Sequence, residues 1–422
     1  MAKRIIFAVW GSLGDLHPYF AIACELQARG HDCVIATHRL AQPRVEAAEL
    51  KFAPMGPHLD VHHEVMKKAM HLRRGPRFLI RDLVVPYTQT AFEEATSAIA
   101  GADMLVTHPL AFGAQVAAEK SGIRWASTTL APMGMMSAYE PGLRRQFPTL
   151  ARLKALGPFL DLAILHYGRR VTASWTRPVR ELRVRLELAP RPSPIFEGQF
   201  SPALNLALFA PLFGHPQPDW PPNTVVTGFP FYCEPATLQP ELSEFLDAGA
   251  PPVVFTLGSS ASIAPCRFFE QSLQAVRRLG CRAVLIVGEF APRELPQPLP
   301  PDLSVFPYAP YSELFPRAAV NVHQGGVGTT AEALGSGRPM LVVPFAFDQP
   351  DNAARAVELG VARSVFIGGY NAKTAVRELR PLLSEATYAA KAAAVGEAVR
   401  SEDGVGAACR ALEELLVGAR KT

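Results

Sequence analysis

Short, continuous apolar runs alternate along this chain with stretches in which apolar residues recur every three or four positions. Ile5–Val9, Cys33–Thr37, Phe52–Met55, Met104–Thr107, Trp125–Thr128, Leu204–Leu208 and Val225–Thr227 are runs of the first kind. At that length, rich in Val, Ile and Leu, they read as strands covered on both faces. Tyr19–Arg29, which closes at Gly30, and Gln42–Leu50 have helical spacing. Two longer helical regions, His62–Ala100 and Arg144–Leu188, are insertions in this alternation. From Pro211 to Pro252 prolines are dense, and proline breaks helices and removes ladder donors. The alternation then restarts with strands at Val253–Leu257, Ala283–Val287, Leu303–Phe306, Ala319–Val322 and Met340–Val343, and a helix at Phe268–Leu279. Glu385–Val399 and Gly406–Ala419 are helical. Alternating strands and helices predict an α/β chain with parallel sheets. The expected domains are 1–215, a proline-rich linker at 216–252, and 253–405.

Length agrees with that division, since 422 residues suit two domains of about 200 each. Lys plus Arg 42 against Asp plus Glu 38 is too even to point to nucleic acid. The six cysteines are scattered without a CxxC pair, which argues against a disulfide framework or a zinc site. His58, His62, His63 and Glu64 crowd metal-ligand types together, but HExxH needs His where Lys67 stands. No GxxxxGK[ST] loop, GxSxG elbow or DxD pair occurs, so no metal is expected. The apolar start, Ile5–Trp10, is too short for a leader and reads as the first strand. No stretch reaches the ~20 apolar residues of a membrane span. The expected setting is cytoplasmic. Lys67, Lys68, Arg73, Arg74, Arg77 and Arg81 are either a solvated helix face or a weak contact with the inner membrane surface.

The residues that could carry chemistry cluster just after strands, where open parallel sheets hold ligands. Asp15 follows Gly11, Ser12 and Gly14 after the first strand; it reads as a base for a hydroxyl or as the cap of the helix that follows. His17 is a second titrating group nearby or a polar residue on an exposed turn, and His108 ends the strand Met104–Thr107. In the second half, Gln324, Gly325, Gly326 and Gly328 turn the chain from a strand into a helix beginning near Thr329. The open N–H groups of such a helix start suit a phosphate. Gly258, Ser259 and Ser260 follow another strand and suit a phosphate or a plain turn. Tyr308 suits base stacking or core packing, and Asp348 with Gln349 suits sugar hydroxyls. Phe78, Met133, Met135 and Met136 suggest an apolar, adaptable pocket or ordinary core. A dinucleotide-dependent oxidoreductase would share the sheets, but GSLGDL lacks the third glycine of GxGxxG.

HQGGVGTTAEAL followed by GRPMLVVPFAFDQPDNA, together with VVFTLGSS, FPYAPYSELF, VVTGFP and GSLGDLHP, resembles the family 1 glycosyltransferases, the UDP-glycosyltransferase superfamily. The opening resembles its bacterial and sterol-type branch, which includes rhamnosyltransferases. The resemblance covers essentially the whole chain. It implies a GT-B fold: two Rossmann-like domains facing across a cleft, acceptor on the N-terminal side, nucleotide sugar on the other, and the last helix, 406–422, returning to the first domain. It implies Asp15 as general base. Donor contacts follow at His323 or Gln324 on the diphosphate, Glu332 on the ribose and Tyr308 on the base. His108 stands near the acid that supports the base histidine of plant relatives, so that dyad is not expected here. The implied reaction is an inverting, metal-independent transfer from a UDP-glucose or dTDP-rhamnose type donor to a hydroxyl of a lipid, sterol or polyphenol, with no cofactor. A catalytically silent binding protein of the same fold is the alternative.

Overall fold

The computed structural model describes residues 2–58, 65, 68–72, 74–140, 142–145, 157–234, 237–258, 267–288 and 300–418. Contacts divide the chain into two units: Met1–Val61, Arg74–Tyr232 and Asp403–Thr422 form the first, and His62–Arg73 with Cys233–Glu402 the second.

The first unit is built on β1 (Arg4–Ala8), β2 (Asp32–Thr37), β3 (Lys51–Pro54), β4 (Met104–Thr107), β5 (Arg124–Thr129), β6 (Leu204–Ala207) and β7 (Thr224–Val226). All pairings are parallel, in the order β3-β2-β1-β4-β5-β6-β7. Among the described residues, its helices of eight residues or more before the C-terminal segment are α1 (Leu13–Ala28), α2 (Thr88–Ala98), α3 (Phe112–Ser121), α4 (Gly157–Thr172) and α5 (Arg177–Arg185). The second unit has helices α6 (Pro240–Asp247), α7 (Phe268–Leu279), α8 (Val327–Gly335), α9 (Gln349–Glu358), α10 (Ala372–Ser384) and α11 (Ala386–Arg400). Its six-stranded parallel sheet runs β10-β9-β8-β11-β12-β13, with β8 at Val253–Thr256, β9 at Ala283–Ile286, β10 at Leu303–Phe306, β11 at Val320–His323, β12 at Met340–Val342 and β13 at Ala362–Ser364. The last helix, α12 (Gly404–Leu416), packs on α1 of the first unit, where Arg29 pairs with Glu413 and the Cys409 thiol lies 3.7 Å from the Ile22 carbonyl.

Several elements depart from the sequence reading. Helix α1 begins at Leu13 rather than Tyr19, because Ser12 caps it and Pro18 is carried inside. Pro18 forfeits a single backbone bond there. Within the proline-dense stretch the expected strand at Val225–Thr227 is β7, which completes the first sheet, and the unexpected element is α6, which opens on Pro240, where a missing N–H costs nothing. Strand β13 was not expected; only Ala362 of its three residues is buried, so it lacks an apolar run. Met70 packs against the core of the second unit, although it lies in the first inserted region.

Candidate active site

In each sheet the chain order reverses at one place, between β1 and β4 in the first and between β8 and β11 in the second. The crevice beyond the strand ends at such a reversal is where open α/β sheets bind ligands. Residues after all four strands are the ones the sequence singled out.

In the first unit Ala8 pairs with Thr107, and the His108 N–H donates to the Ala8 carbonyl at 2.9 Å, so the two strands end together. Asp15 is then carried back toward β4 by the start of α1. It is the third residue of that helix, and its Oδ2 accepts from the Ser12 N–H at 2.7 Å and the Ser12 hydroxyl at 3.1 Å. Ser12, not Asp15, is therefore the capping residue. Gly11 makes the turn possible: its φ is +153°, and a Cβ there would sit 2.3 Å from Asp15 Oδ2. The second oxygen, Oδ1, faces His108 Nε2 at 3.5 Å, so an Asp–His pair does form, with the roles of the plant dyad exchanged. His108 Nδ1 accepts from the Leu110 N–H at 3.1 Å, which leaves the ring proton on Nε2, toward Asp15. The Tyr19 ring meets the His108 ring edge-on at 6.1 Å. Thr128 spends its hydroxyl proton on the Thr107 carbonyl, so Tyr19 donates to Thr128 and is fixed in place. Burial pulls the Asp15 pKa upward, but the hydrogen bond and electrostatic pull of the His108 ring and the Ser12 donors outweigh it and hold the carboxyl below its ordinary value. Asp15 is thus a carboxylate at neutral pH, with its side chain 34% exposed.

His17 has a different place. It lies on α1, half-buried and not on an exposed turn, with its ring 5.2 Å from Tyr232 and 6.3 Å from Phe20. Burial, with Arg44 nearby, takes its pKa down to about 4. Sequence reasoning passed over His38, which follows β2 and donates through Nε2 to the Gly11 carbonyl at 3.1 Å, tethering the turn that shapes Asp15. Its position one residue beyond a strand end was the available signal.

In the second unit Gly325 takes φ +89° and Gly326 caps α8, which begins at Val327, two residues before the expected start. Its first-turn N–H groups, including that of Gly328, have no partner within the helix. His323 is no part of this opening. It is fully buried, Nδ1 accepts from the Gly325 N–H at 3.1 Å, Nε2 lies 3.4 Å from Met340 Sδ, and burial takes its pKa down to about 3. It is a neutral core histidine that holds the loop from behind. Gln324 occupies the loop itself: its Nε2 lies 3.4 Å from Thr329 Oγ1, and its Oε1 is buried without a partner. Gly258, after β8, has φ +62°, and a Cβ there would meet Gln324 Nε2 at 2.3 Å. Ser259 and Ser260 lie outside the described residues, as do His62, His63, Glu64, Lys67 and Arg73.

The acid–amide pair is brought to the same loop but is tied up differently from expectation. Gln349 is buried, and its Oε1 accepts from the Phe345 and Ala346 N–H groups at 2.8 and 3.3 Å. Asp348 stands before α9, and its Oδ2 accepts from Asn352 Nδ2 at 2.7 Å. The same Asn352 nitrogen reaches the Gly325 carbonyl at 2.9 Å, binding the glycine turn to Asp348. Asn352 was missed, although its spacing four residues after Asp348 on one helix face pointed to it. Phe347, just before, has φ +59°, a strained value for an aromatic residue. Tyr308 is 41% exposed, not core, and its hydroxyl donates to Glu234. Glu332 lies on α8; burial and the nearby Glu234 charge raise its pKa to about 7. Glu234 was not expected in the site.

The apolar candidates divide. Met135 is core, at 3% exposure, and Met136 packs against the Ala138, Leu165 and Phe196 cluster. Phe78 and Met133 are half-buried. His58 is bound to Glu94 at 2.8 Å. Among the described residues no three or more His, Cys, Asp or Glu side chains gather as metal ligands. Nor is any described helix long and apolar enough to cross a membrane.

Comparison with known proteins agrees with this arrangement. Residues 5–138 match the glycosyltransferase family 28 N-terminal domain, and residues 271–415 match the erythromycin biosynthesis protein CIII-like C-terminal domain. The O-mycaminosyltylonolide 6-deoxyallosyltransferase of Streptomyces fradiae is 33% identical over 438 residues, 97% of each chain. The chain belongs to the family 1 glycosyltransferases. Sterol 3-beta-glucosyltransferase UGT80A2 of Arabidopsis thaliana is 27% identical, over 99% of this glycosyltransferase and 66% of its own length. Among solved structures, the spinosyn forosaminyltransferase SpnP superposes with TM-score 0.72 at 18% identity, covering 99% of this chain and 100% of that one. The spinosyn rhamnosyltransferase SpnG complexed with thymidine diphosphate gives 0.67 at 17%, covering 97% and 100%. These establish the GT-B fold for this glycosyltransferase. It is a nucleotide-sugar-dependent enzyme that moves a sugar from a nucleotide donor to an acceptor.

Proposed function

We propose that this enzyme transfers its sugar by a single inverting displacement, with Asp15 as general base, onto a hydroxyl of an apolar acceptor such as a lipid, sterol or polyphenol. The observation that carries the reading is the ionised Asp15 carboxylate, one oxygen saturated by Ser12 and the other held toward His108 at the reversal point of the first sheet. As the acceptor oxygen attacks the anomeric carbon, its proton passes to Asp15 and the bond from that carbon to the diphosphate breaks. Inversion follows from attack opposite the leaving group. His108 holds the carboxylate in orientation and steadies its charge. The nucleoside diphosphate gains charge as it leaves, and the α8 start with Gln324 supplies fixed donors to it without a metal. Glu332 and Tyr308 recognise the nucleoside, and Asp348 the sugar. The donor is of the UDP-glucose or dTDP-rhamnose type. An apolar acceptor is supported by the naming of one relative as a sterol glucosyltransferase.

Nucleoside diphosphate release should be measured with both donors, in EDTA, against a panel of sterols, lipids and polyphenols, with the anomeric configuration of the product read by NMR. Retention of configuration overturns the mechanism; donor binding without release under any acceptor favours the silent binding protein.

Glu332 adds a pH dependence. Ribose hydroxyls donate to a carboxylate better than to a carboxylic acid, so bound donor prefers the ionised form. With the free-enzyme pKa near 7, donor KM should fall as pH rises through about 7. Glu332→Gln should flatten that profile and weaken binding; an unchanged slope in the variant assigns the titration elsewhere.

A further inference from the structure

Helix α4 is turned the wrong way round for a helix whose exposed side meets only water. Its inward face presents Asp161, Leu165 and Thr172, while Phe159 is 84% exposed, Leu162 51%, Tyr167 70% and Val171 40%. On a 3.6-residue turn, Phe159, Leu162, Ala163, His166, Tyr167 and Arg170 form one outward stripe, and all are exposed. Four of the eleven large apolar side chains most exposed among the described residues lie on this one helix, so the patch is concentrated, not scattered.

The charge along this stretch of sequence is lopsided. Residues 141–190 hold ten Lys and Arg against three Asp and Glu, a net +7 in a chain whose total is +4. The rest of the molecule is therefore net negative. Of the three acids, Asp161 is on the buried face of α4, and Glu181 is already paired with Arg177. No acidic side chain lies on the outward stripe. Arg169 is paired with Glu197 and Arg183 with Glu119, but Arg170 stands exposed on the stripe itself. An aromatic and aliphatic stripe carrying that cation in a net-positive stretch matches a surface with an apolar interior beneath a negative skin. A solvated face would carry no such aromatics, and a dimer between two copies would oppose positive to positive.

We propose that α4 seats this glycosyltransferase on an anionic lipid bilayer, with Phe159, Leu162 and Tyr167 entering the headgroup boundary and Arg170 and its basic neighbours meeting lipid phosphates. None of these residues is among those named at Asp15 or in the donor loops, so the contact stands whatever the acceptor proves to be.

The test is co-flotation of the full chain with phosphatidylcholine vesicles with and without phosphatidylserine. Binding is expected to the anionic vesicles and to weaken with salt. The double variant Phe159→Ser with Tyr167→Ser should partition about tenfold or more worse, and Arg170→Glu should also weaken binding. Both should keep their melting temperature and their activity on a water-soluble acceptor, because these side chains are exposed and none is named in the transfer step. Equal binding to neutral vesicles, no binding to either, or undiminished binding by the double variant overturns the proposal. So does a dimer in light scattering that the double variant dissociates, since the stripe then belongs to a second copy.

Discussion

Asp15→Asn should lower kcat by about 10²–10⁴-fold, the usual worth of a positioned general base, and leave donor affinity almost unchanged. The amide is nearly isosteric, its oxygen can still accept from the Ser12 N–H, and the cost in helix stability is about 0.3–1 kcal/mol from the lost charge at the α1 start. If Asp15 serves only that helix start, the variant loses this small stability and keeps its turnover. Steady-state kinetics with a thermal melt on the same sample separate the two. His108→Gln sharpens the test. Asp15 is held below its ordinary pKa largely by His108, while burial pulls the other way. Without the imidazole, burial prevails and the acid limb of kcat/KM should move to higher pH. A drop in rate with an unmoved limb would make His108 structural. Gly11→Ala gives a third view, because its methyl would overlap Asp15 Oδ2 and displace a carboxylate that is still present.

The sheets were legible because parallel strands buried on both faces leave unbroken apolar runs, and Met104–Thr107 and Leu303–Phe306 could be read to the residue. Strand β13 has one buried residue in three and left no such trace. Helix α1 was read late because Pro18 looks like a boundary, whereas the Ser12–Asp15 pairing, visible only in three dimensions, starts it earlier. At the candidate sites, sequence pointed to the loops after the strand ends but not to the partners each side chain finds there. His323 and Gln324 are neighbours on a strand end, so their side chains point to opposite sides. Which one meets the core is decided by Met340 on β12, and no local pattern reports that. Asp15 and His108 were each visible as residues following a strand. Their meeting depends on β1 and β4 being adjacent, which follows from the order of the whole sheet.

Gly258→Ala should raise the donor dissociation constant by roughly 10- to 100-fold without touching the Asp15 site. The argument starts from the backbone: φ is +62°, a region that costs a residue with a Cβ about 1–2 kcal/mol. The new carbon would lie 2.3 Å from Gln324 Nε2, 3.1 Å from its Cδ and 3.2 Å from Thr329 Oγ1. Something must move, and the amide is the freest of the three. Among the described residues Gln324 Oε1 lacks a partner, and its nitrogen makes only the long 3.4 Å contact to Thr329. Displacing it would remove the hydrogen bond proposed from Gln324 to the charged diphosphate, worth about 1.5–3 kcal/mol, which is the stated range of affinity. Calorimetric titration with the nucleoside diphosphate reads this directly. Thr329→Ala is the control, because it frees the amide rather than crowding it and should cost far less. If Gly258→Ala binds the diphosphate as well as the parent while its melting temperature falls, the glycine serves only the turn, and Gln324 is not the group that grips the leaving group.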